Sequence, residues 1–407
     1  MKASLKPFGL IGVLLIATAL MLAAGAFFIT QQGNKAEIDI DILPLDPAAL
    51  AAGEDVTVNF RVNDDNTPYS VVVLPDTQYY SEEYPEIYIA QTQWIVDNRA
   101  ALNIRFVTHE GDIVDNDDQY KLEWQRADEA MQILDGEVPY GFLPGNHDMQ
   151  PDGTANYYRE YFPASRYESY DWWGGSFSDN KNNYQFFSGG GEDYIVIHLQ
   201  FCPTDAAIDW ANEVLAEYPD YRAIITTHAY LYESASRFER CIKNTDGTNN
   251  GLDMWAKMIR PNTNVFMVLA GHVPGVSQRV DEVDGRLIYQ MLADYQAMEN
   301  GGNGYLRILT FQPAEDAVQV QTYSPTLDEY MTDPENEFSL GLGITGGPQA
   351  TGTVTVSAGE ASCTAAVEQG SCTLTLPDSG ETKLVAEYSG DNHYNPGTSR
   401  QVTITVK

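Results

Sequence analysis

Five short apolar runs in this chain each stop at a small polar cluster. Val71-Val-Val-Leu-Pro leads into Asp76-Thr77-Gln78, and Phe106-Val-Thr-His-Glu into Gly111-Asp112-Ile113-Val114-Asp115. Gly141-Phe-Leu-Pro leads into Gly145-Asn146-His147-Asp148, Ile224-Ile-Thr-Thr into His228, and Val268-Leu-Ala into Gly271-His272-Val273-Pro274-Gly275. Runs of this length, bounded by glycine and proline, read as buried strands. The spacing predicts strands at Tyr69–Leu74, Ile104–Thr108, Tyr194–Gln200, Ala223–Thr227 and Val265–Ala270. It predicts amphipathic helices at Ile87–Arg99, Lys121–Leu134 and Ala206–Glu217. Alternation of this kind is α/β. In an open α/β sheet the strand C-termini share one edge, where sites are built. Asp, Asp, Asn-His, His and His therefore converge. Imidazole and carboxylate are the usual ligands of Mn, Fe and Zn, so a metal site is the leading reading. The glycines let the backbone turn sharply beside an ion.

Charge excludes some partners. The 407 residues carry 23 Lys+Arg against 58 Asp+Glu, a net −35, which repels nucleic acid and anionic membrane surfaces. Hydrophobic residues at 43% against 20% charged are enough for a core, so wholesale disorder is excluded. At the N-terminus, Lys2 and Lys6 precede an uncharged run from Phe8 to Ile29 whose one clearly polar side chain is Thr18. Such a run can span a bilayer, and Ala24-Gly25-Ala26 offers a cleavage site, so 1–35 reads as a signal peptide or an uncleaved anchor. Either puts the rest of the chain outside, secreted or held at the outer face of the membrane. Export permits disulfides. Cys363 and Cys372 flank a turn at Glu368-Gln369-Gly370 and are expected to pair. Cys202 and Cys241 are then a second pair or two free buried thiols.

Both ends of the exported chain read as β. Val354 and Val356 alternate with Thr, as do Val402, Ile404 and Val406. Ile38, Ile40 and Ile42 alternate near the start, and Val56, Val58, Phe60 and Val62 share a face. Thr351-Gly-Thr-Val-Thr-Val-Ser with Ala386-Glu-Tyr-Ser-Gly-Asp391 resembles bacterial immunoglobulin-like repeats, short of their first strands. Those strands are expected at 36–67, so that 36–67 and 348–407 form one split sandwich with 68–347 inserted in a loop. The alternative is that 37–67 leads the central domain. Tyr157–Phe177, crowded with aromatics, reads as an irregular excursion packed on itself, with a carbohydrate platform as the weaker reading.

The ordered set Asp, Gly-Asp-x-x-Asp, Gly-Asn-His-Asp, His, Gly-His over about 70–340 resembles the calcineurin-like metallophosphoesterase superfamily. Pro75-Asp-Thr-Gln-Tyr-Tyr80, Trp210-Ala-Asn-Glu-Val-Leu215 and Asp294-Tyr-Gln296 look like a secreted branch of it. The resemblance implies two sheets sandwiched between helices, and two divalent ions among Mn, Fe, Zn, Mg or Ca. It implies a phosphomonoester or phosphodiester substrate, hydrolysed by a metal-held water. Asp112 would bridge ions about 3.5–4 Å apart. Asn146, His228 and His272 would complete the second ion, and Asp76 and Gln78 would hold the first. His147 would protonate the leaving oxygen. Asp148 would orient His147 and Asp115 brace the Gly111 turn, or both would merely cap loops. His109, His198 and His393 are expected to be structural.

Two positions depart from the family's pattern. Gln78 stands where the first motif, Asp-x-His, has its His, and Pro274 where Gly-His-x-His has its last. The first ion then has an oxygen-only set, unless Asp294 or Tyr295 folds back toward it. The competing function is a surface binding or adhesion protein with a catalytically impaired phosphatase-like domain. The intact His147 and second-ion set argue for retained chemistry.

Overall fold

The computed structural model describes residues 35–117, 120–241, 247–341, 343 and 346–407. The signal or anchor expected over 1–35 lies, Lys35 apart, outside them. No helix among the described residues is long and apolar enough to cross a membrane.

Two strands open the described chain, β1 (Asp39–Ile42) and β2 (Asp55–Asn63). The central part holds β3 (Tyr69–Leu74), β4 (Ile104–His109), β5 (Tyr140–Gly141), β6 (Trp173–Phe177), β7 (Asn182–Gly189), β8 (Glu192–Leu199) and β9 (Arg222–Thr227). It continues through β10 (Val265–Ala270), β11 (Gly275–Val283), β12 (Arg286–Asp294), β13 (Leu306–Gln312), β14 (Ala317–Ser324), β15 (Glu329–Met331) and β16 (Phe338–Gly341). The chain closes with β17 (Thr353–Ala358), β18 (Ala361–Ala366), β19 (Ser371–Thr375), β20 (Gly380–Tyr388), β21 (Gly397–Thr398) and β22 (Val402–Val406).

The central strands form two seven-stranded sheets. One runs β11-β12-β10-β9-β8-β7-β6, the other β15-β14-β13-β3-β4-β5 with β16 on β14. Val71, Val73 and Phe106 of one sheet meet Val196, Ile224, Met267, Leu269 and Met291 of the other in a shared core. On the outer faces, helix Pro85–Asn98 buries Ile87, Tyr88 and Ile95, and helix Lys121–Met131 buries Trp124 and Ala127. Helix Asp205–Glu217 buries Ile208, Ala211, Val214 and Leu215 on the other side. This is the two-sheet sandwich flanked by helices that the sequence implies. All six residues of β3 and of β10 are buried, and so these runs are continuously apolar rather than alternating. In one sheet β3, β4 and β5 are parallel; in the other β8, β9, β10 and β12 are. Their C-terminal ends therefore share an edge within each sheet.

The aromatic stretch is more regular than expected. It holds helix Asn156–Tyr161, a 3-10 turn at Ala164–Arg166, and β6. Tyr158, Phe162 and Tyr167 are fully buried in the cluster that holds Trp124, which leaves these rings no role as a carbohydrate platform. Four-residue spacing puts Tyr158 and Phe162 on the same side, which poor overall periodicity concealed.

β19 pairs antiparallel with β2, opposing Val58 to Cys372 and Val56 to Leu374. With β1 these form one sheet, and β18-β17-β20-β21 with β22 form the other. Ile40, Val56, Val58 and Phe60 share a core with Val354, Val356, Leu384, Ala386 and Tyr388. The disulfide Cys363–Cys372 joins β18 to β19 across the two sheets, and Cys202–Cys241 is also bonded. The connections into and out of the central part lie together, with Asn66 Nδ2 donating to Gly347 O at 2.8 Å and the Ala350 N–H to Asp64 Oδ2 at 2.8 Å. The small sandwich docks through arginines. Arg105 pairs with Asp39, Arg61 reaches Ala101 O, and Arg400 donates to Glu137 O.

Phe60 is 3% exposed in the shared core. Phe60→Ala is expected to destabilise the small sandwich by about 3–5 kcal/mol. Hydrogen exchange should then rise across 353–406 and stay unchanged in the central sheets. Unaltered exchange in the C-terminal strands would show that they close their core without residue 60.

Candidate metal centre

The five polar clusters meet at one edge, at the ends of β3, β4, β5, β9 and β10. Asp112 sits at its hub. Its Oδ1 accepts the His147 backbone N–H at 2.8 Å, and its Oδ2 lies 3.1 Å from His228 Nε2. The same Nε2 is 3.1 Å from Asn146 Oδ1. His228 Nδ1 contacts Glu110 O at 2.9 Å, so the neutral ring must carry its proton on Nδ1. Nε2 then turns a lone pair toward two acceptor oxygens, an arrangement that wants a cation. Asp112, His228 and His272 present ligand atoms within 4.8 Å of one another. Local backbone pays for this convergence: Asp112 has φ 48° and His272 φ 72°, left-handed conformations that cost about 1–3 kcal/mol each. A Cβ on Gly145 would lie 2.1 Å from Asp112 Oδ1, so a side chain there would fill the hub.

On the other side of Asp112, Asp76 is buried and accepts the His272 N–H at 3.1 Å. Gln78 donates from Nε2 to Asp115 Oδ1 at 3.1 Å, while its Oε1 is buried with no hydrogen-bond partner. Such an orphaned oxygen costs about 1–3 kcal/mol unless something positive meets it. Oxygen donors without partners fit a hard divalent ion. Burial raises the Asp76 carboxyl well above its usual range, and Asp294, Asp112 and Glu110 push it further. Burial alone would raise Asp112 too, but a protonated His228, which Asp112 in turn favours against burial, pulls it below the usual carboxylate range. A metal ion at Nε2 would take that proton's place and leave the ring neutral.

His147 is the exposed member, with 38% of its side chain accessible where the His228 side chain has none. Its Nδ1 is 2.8 Å from Asp115 O and 3.2 Å from Asp115 Oδ1, which leaves Nε2 for an external partner. The expected roles of Asp115 and Asp148 are thus exchanged. Asp148 does not orient His147. Its carboxylate accepts the N–H groups of Ile113, Val114 and Gly145 at 3.0, 3.0 and 2.7 Å, bracing the hub from below. Asp115 is itself held, its N–H donating to Glu123 Oε2 at 2.9 Å. His109 and His198 are buried, bonded to Thr77 and Thr108, and pushed down to about 3 by burial. Both are structural.

Sequence reasoning gave Asp294 no firm place. It ends β12, the parallel neighbour of β10, and is buried at the same edge. Its run, Leu287 to Ala293, has the same form as the other five. Gln290 interrupts it, and from sequence alone Asp294 is only a residue that could fold back toward the first ion.

His147→Ala is expected to lower ester turnover about 10²–10⁴-fold with metal content and melting temperature unchanged. Asp148→Ala leaves three buried N–H groups unpaired, at about 1–3 kcal/mol each, and should chiefly lower the melting temperature. The reverse pattern, measured by turnover and thermal denaturation, would return Asp148 to the chemistry.

Residues 69–295 match the family described as Calcineurin-like phosphoesterase, and residues 334–407 the Bacterial Ig-like domain (group 3). The uncharacterized protein YvnB of Bacillus subtilis (strain 168) is 40% identical over 306 residues, covering 70% of this chain and 23% of its own length. The chain thus spans about a quarter of that relative. A dimetal phosphatase from Danio rerio superposes with TM-score 0.44 at 12% identity, covering 67% of this chain and 98% of its own. GAP50, the anchor in the inner membrane complex of Plasmodium, superposes with TM-score 0.43 at 10% identity, covering 68% of this chain and 89% of its own. With its family match spanning the strand-end clusters from Asp76 to Asp294, the chain belongs to the calcineurin-like phosphoesterases and carries a bacterial Ig-like domain.

Proposed function

We propose that this chain is an exported phosphoesterase that hydrolyses phosphomonoesters or phosphodiesters at a two-metal site. The observation that carries the reading is buried Asp112, gathered with His228 and His272 and bonded to the N–H of half-exposed His147, while buried Asp76 accepts the His272 N–H. Divalent ions bound there would neutralise phosphoryl oxygens and acidify a water. The remaining work is positioning, which suits phosphoryl transfer. His147 Nδ1 faces the Asp115 carbonyl, so Nε2 carries a proton in the cationic ring. Donating that proton to the leaving oxygen returns the ring to the Nδ1–H tautomer that this contact already favours. The Asp115 carboxylate, 3.2 Å from the same Nδ1, helps hold the ring in place. On the far side, Phe201 and Phe238 pack on the His272 ring at 5.2 and 5.1 Å between centroids. They belong to the cluster that contains the Cys202–Cys241 disulfide, which fixes that wall. Both disulfides, with the leader read from the first 35 residues, support export.

The test is elemental analysis of the purified chain beside a panel of mono- and diesters, with and without chelator. Metal-dependent cleavage of at least one ester is expected. A chain that holds no metal and cleaves nothing under any supplement would leave the adhesion reading standing. Asp112→Asn should loosen both ions together and His272→Ala only one, as read from metal stoichiometry after dialysis. Loss of a single ion in Asp112→Asn would contradict bridging.

A further inference from the structure

The family's last histidine is missing at Pro274, and the fold supplies a different group beside it. β11 and β12 pair antiparallel with Gly275 opposite Asp294, so Asp294 is cross-strand neighbour to the residue after Pro274. β12 also runs parallel to β10, with Ala270 opposite Leu292. The two strands therefore end at the same edge, where Asp294 closes β12 and His272 follows β10. Asp294 is 1% exposed, and Asp76, 3% exposed, accepts the His272 N–H at the same edge at 3.1 Å. Two carboxylates are thus buried at one edge, with few protein groups beside them to neutralise their charge.

A satisfied acidic pair would need no ion, but the oxygens around this one are not satisfied. Gln78 Oε1, Glu110 Oε2 and Gln296 Oε1 are each buried with no hydrogen-bond partner. Gln78 and Glu110 are 2% and 1% exposed. A Cβ on Gly271 would lie 2.0 Å from Asp76 Oδ1 and 3.5 Å from Glu110 Cβ, so Glu110 lines the same nest. The nearby cation, Arg307, faces Glu110 and gives its bonds to Tyr295 and the Glu335 carbonyl. Gln296 fixes the Asp294 carboxylate, its N–H donating to Oδ1 at 2.9 Å and its Nε2 to Oδ2 at 2.8 Å. Each oxygen keeps a lone pair after those bonds, the arrangement by which an outer amide orients a ligating carboxylate.

We infer that Asp294, held by Gln296, takes the place of the missing imidazole and closes an oxygen-only first site with Asp76, Gln78 and Asp112. The inference rests on the two-metal reading of this site. Its consequence is a division of labour between the ions. The site with His228 and His272 accepts Zn or another imidazole-preferring ion, and the Asp294 site prefers Mn, Mg or Ca.

The test uses the full exported chain, stripped by chelator and titrated with Mn²⁺ by calorimetry. Wild type should bind two equivalents. Asp294→Asn should keep one equivalent and weaken the other at least about tenfold. His272→Ala should weaken the opposite one. A second measurement needs no variant. With one equivalent of Zn²⁺ loaded first, added Mn²⁺ should show no nitrogen coupling by pulsed electron paramagnetic resonance. Nitrogen coupling at that Mn²⁺, or two wild-type affinities in a folded Asp294→Asn chain, would overturn the role of Asp294 and leave the phosphoesterase reading intact. A wild-type chain that binds no Mn²⁺ or Zn²⁺ would sink both together.

Discussion

Asp112 lies 1% exposed just past the end of β4, and the central domain is arranged around the need to neutralise it and its neighbours. Taking one carboxylate out of water costs several kcal/mol, and Asp76, Glu110, Asp148 and Asp294 are buried close by. Protein groups answer part of this. Three backbone N–H groups hold Asp148, and the His228 ring faces Asp112. What they leave unanswered is concentrated on the Asp76 side, where the orphaned oxygens lie. Divalent ions are the groups that would meet such a deficit.

That constraint explains why the strands look as they do. The charged groups sit at the ends of strands such as β3 and β10, which are buried along their whole length, so that close packing fixes the backbone that presents them. The left-handed conformations at Asp112 and His272 are held by the same frame. The disulfide beside Phe201 and Phe238 does similar work for a loop wall that lacks a strand of its own.

Much of this was legible because burial and chemistry leave separate marks. Apolar runs gave the strands, and the residue that ends each run gave the site. The small sandwich was legible from alternation, since β2 buries every second residue from Val56 to Val62. What was not legible is set by loop geometry. Asp115 and Asp148 are three residues apart from Asp112 and adjacent to His147 respectively, yet the chain path sends Asp115 to His147 and turns Asp148 inward. Sequence adjacency misleads where a turn intervenes. The match to the Ig-like family begins at residue 334, although β16, at Phe338–Gly341, pairs with β14 of the central sheet. Strand alternation is the same in both units, so pattern alone does not mark that border.

The position of the small sandwich completes the argument about rigidity. Arg61 reaches the carbonyls of Ala100 and Ala101 just before β4, Arg105 lies one residue inside β4, and Arg400 meets Gly136 and Glu137 just before β5. All are at the N-terminal ends of parallel strands, the edge opposite to the metal ligands. The small sandwich therefore supports the frame without touching the chemistry. In a chain of net charge −35 with only 23 basic residues, committing three arginines to this seam removes them from the site. At the other edge Arg307 faces Glu110 but gives its hydrogen bonds to Tyr295 and the Glu335 carbonyl, so among the described residues the acidic cluster stays short of positive charge. Docking at one edge and ion demand at the other are two results of the same scarcity of positive charge.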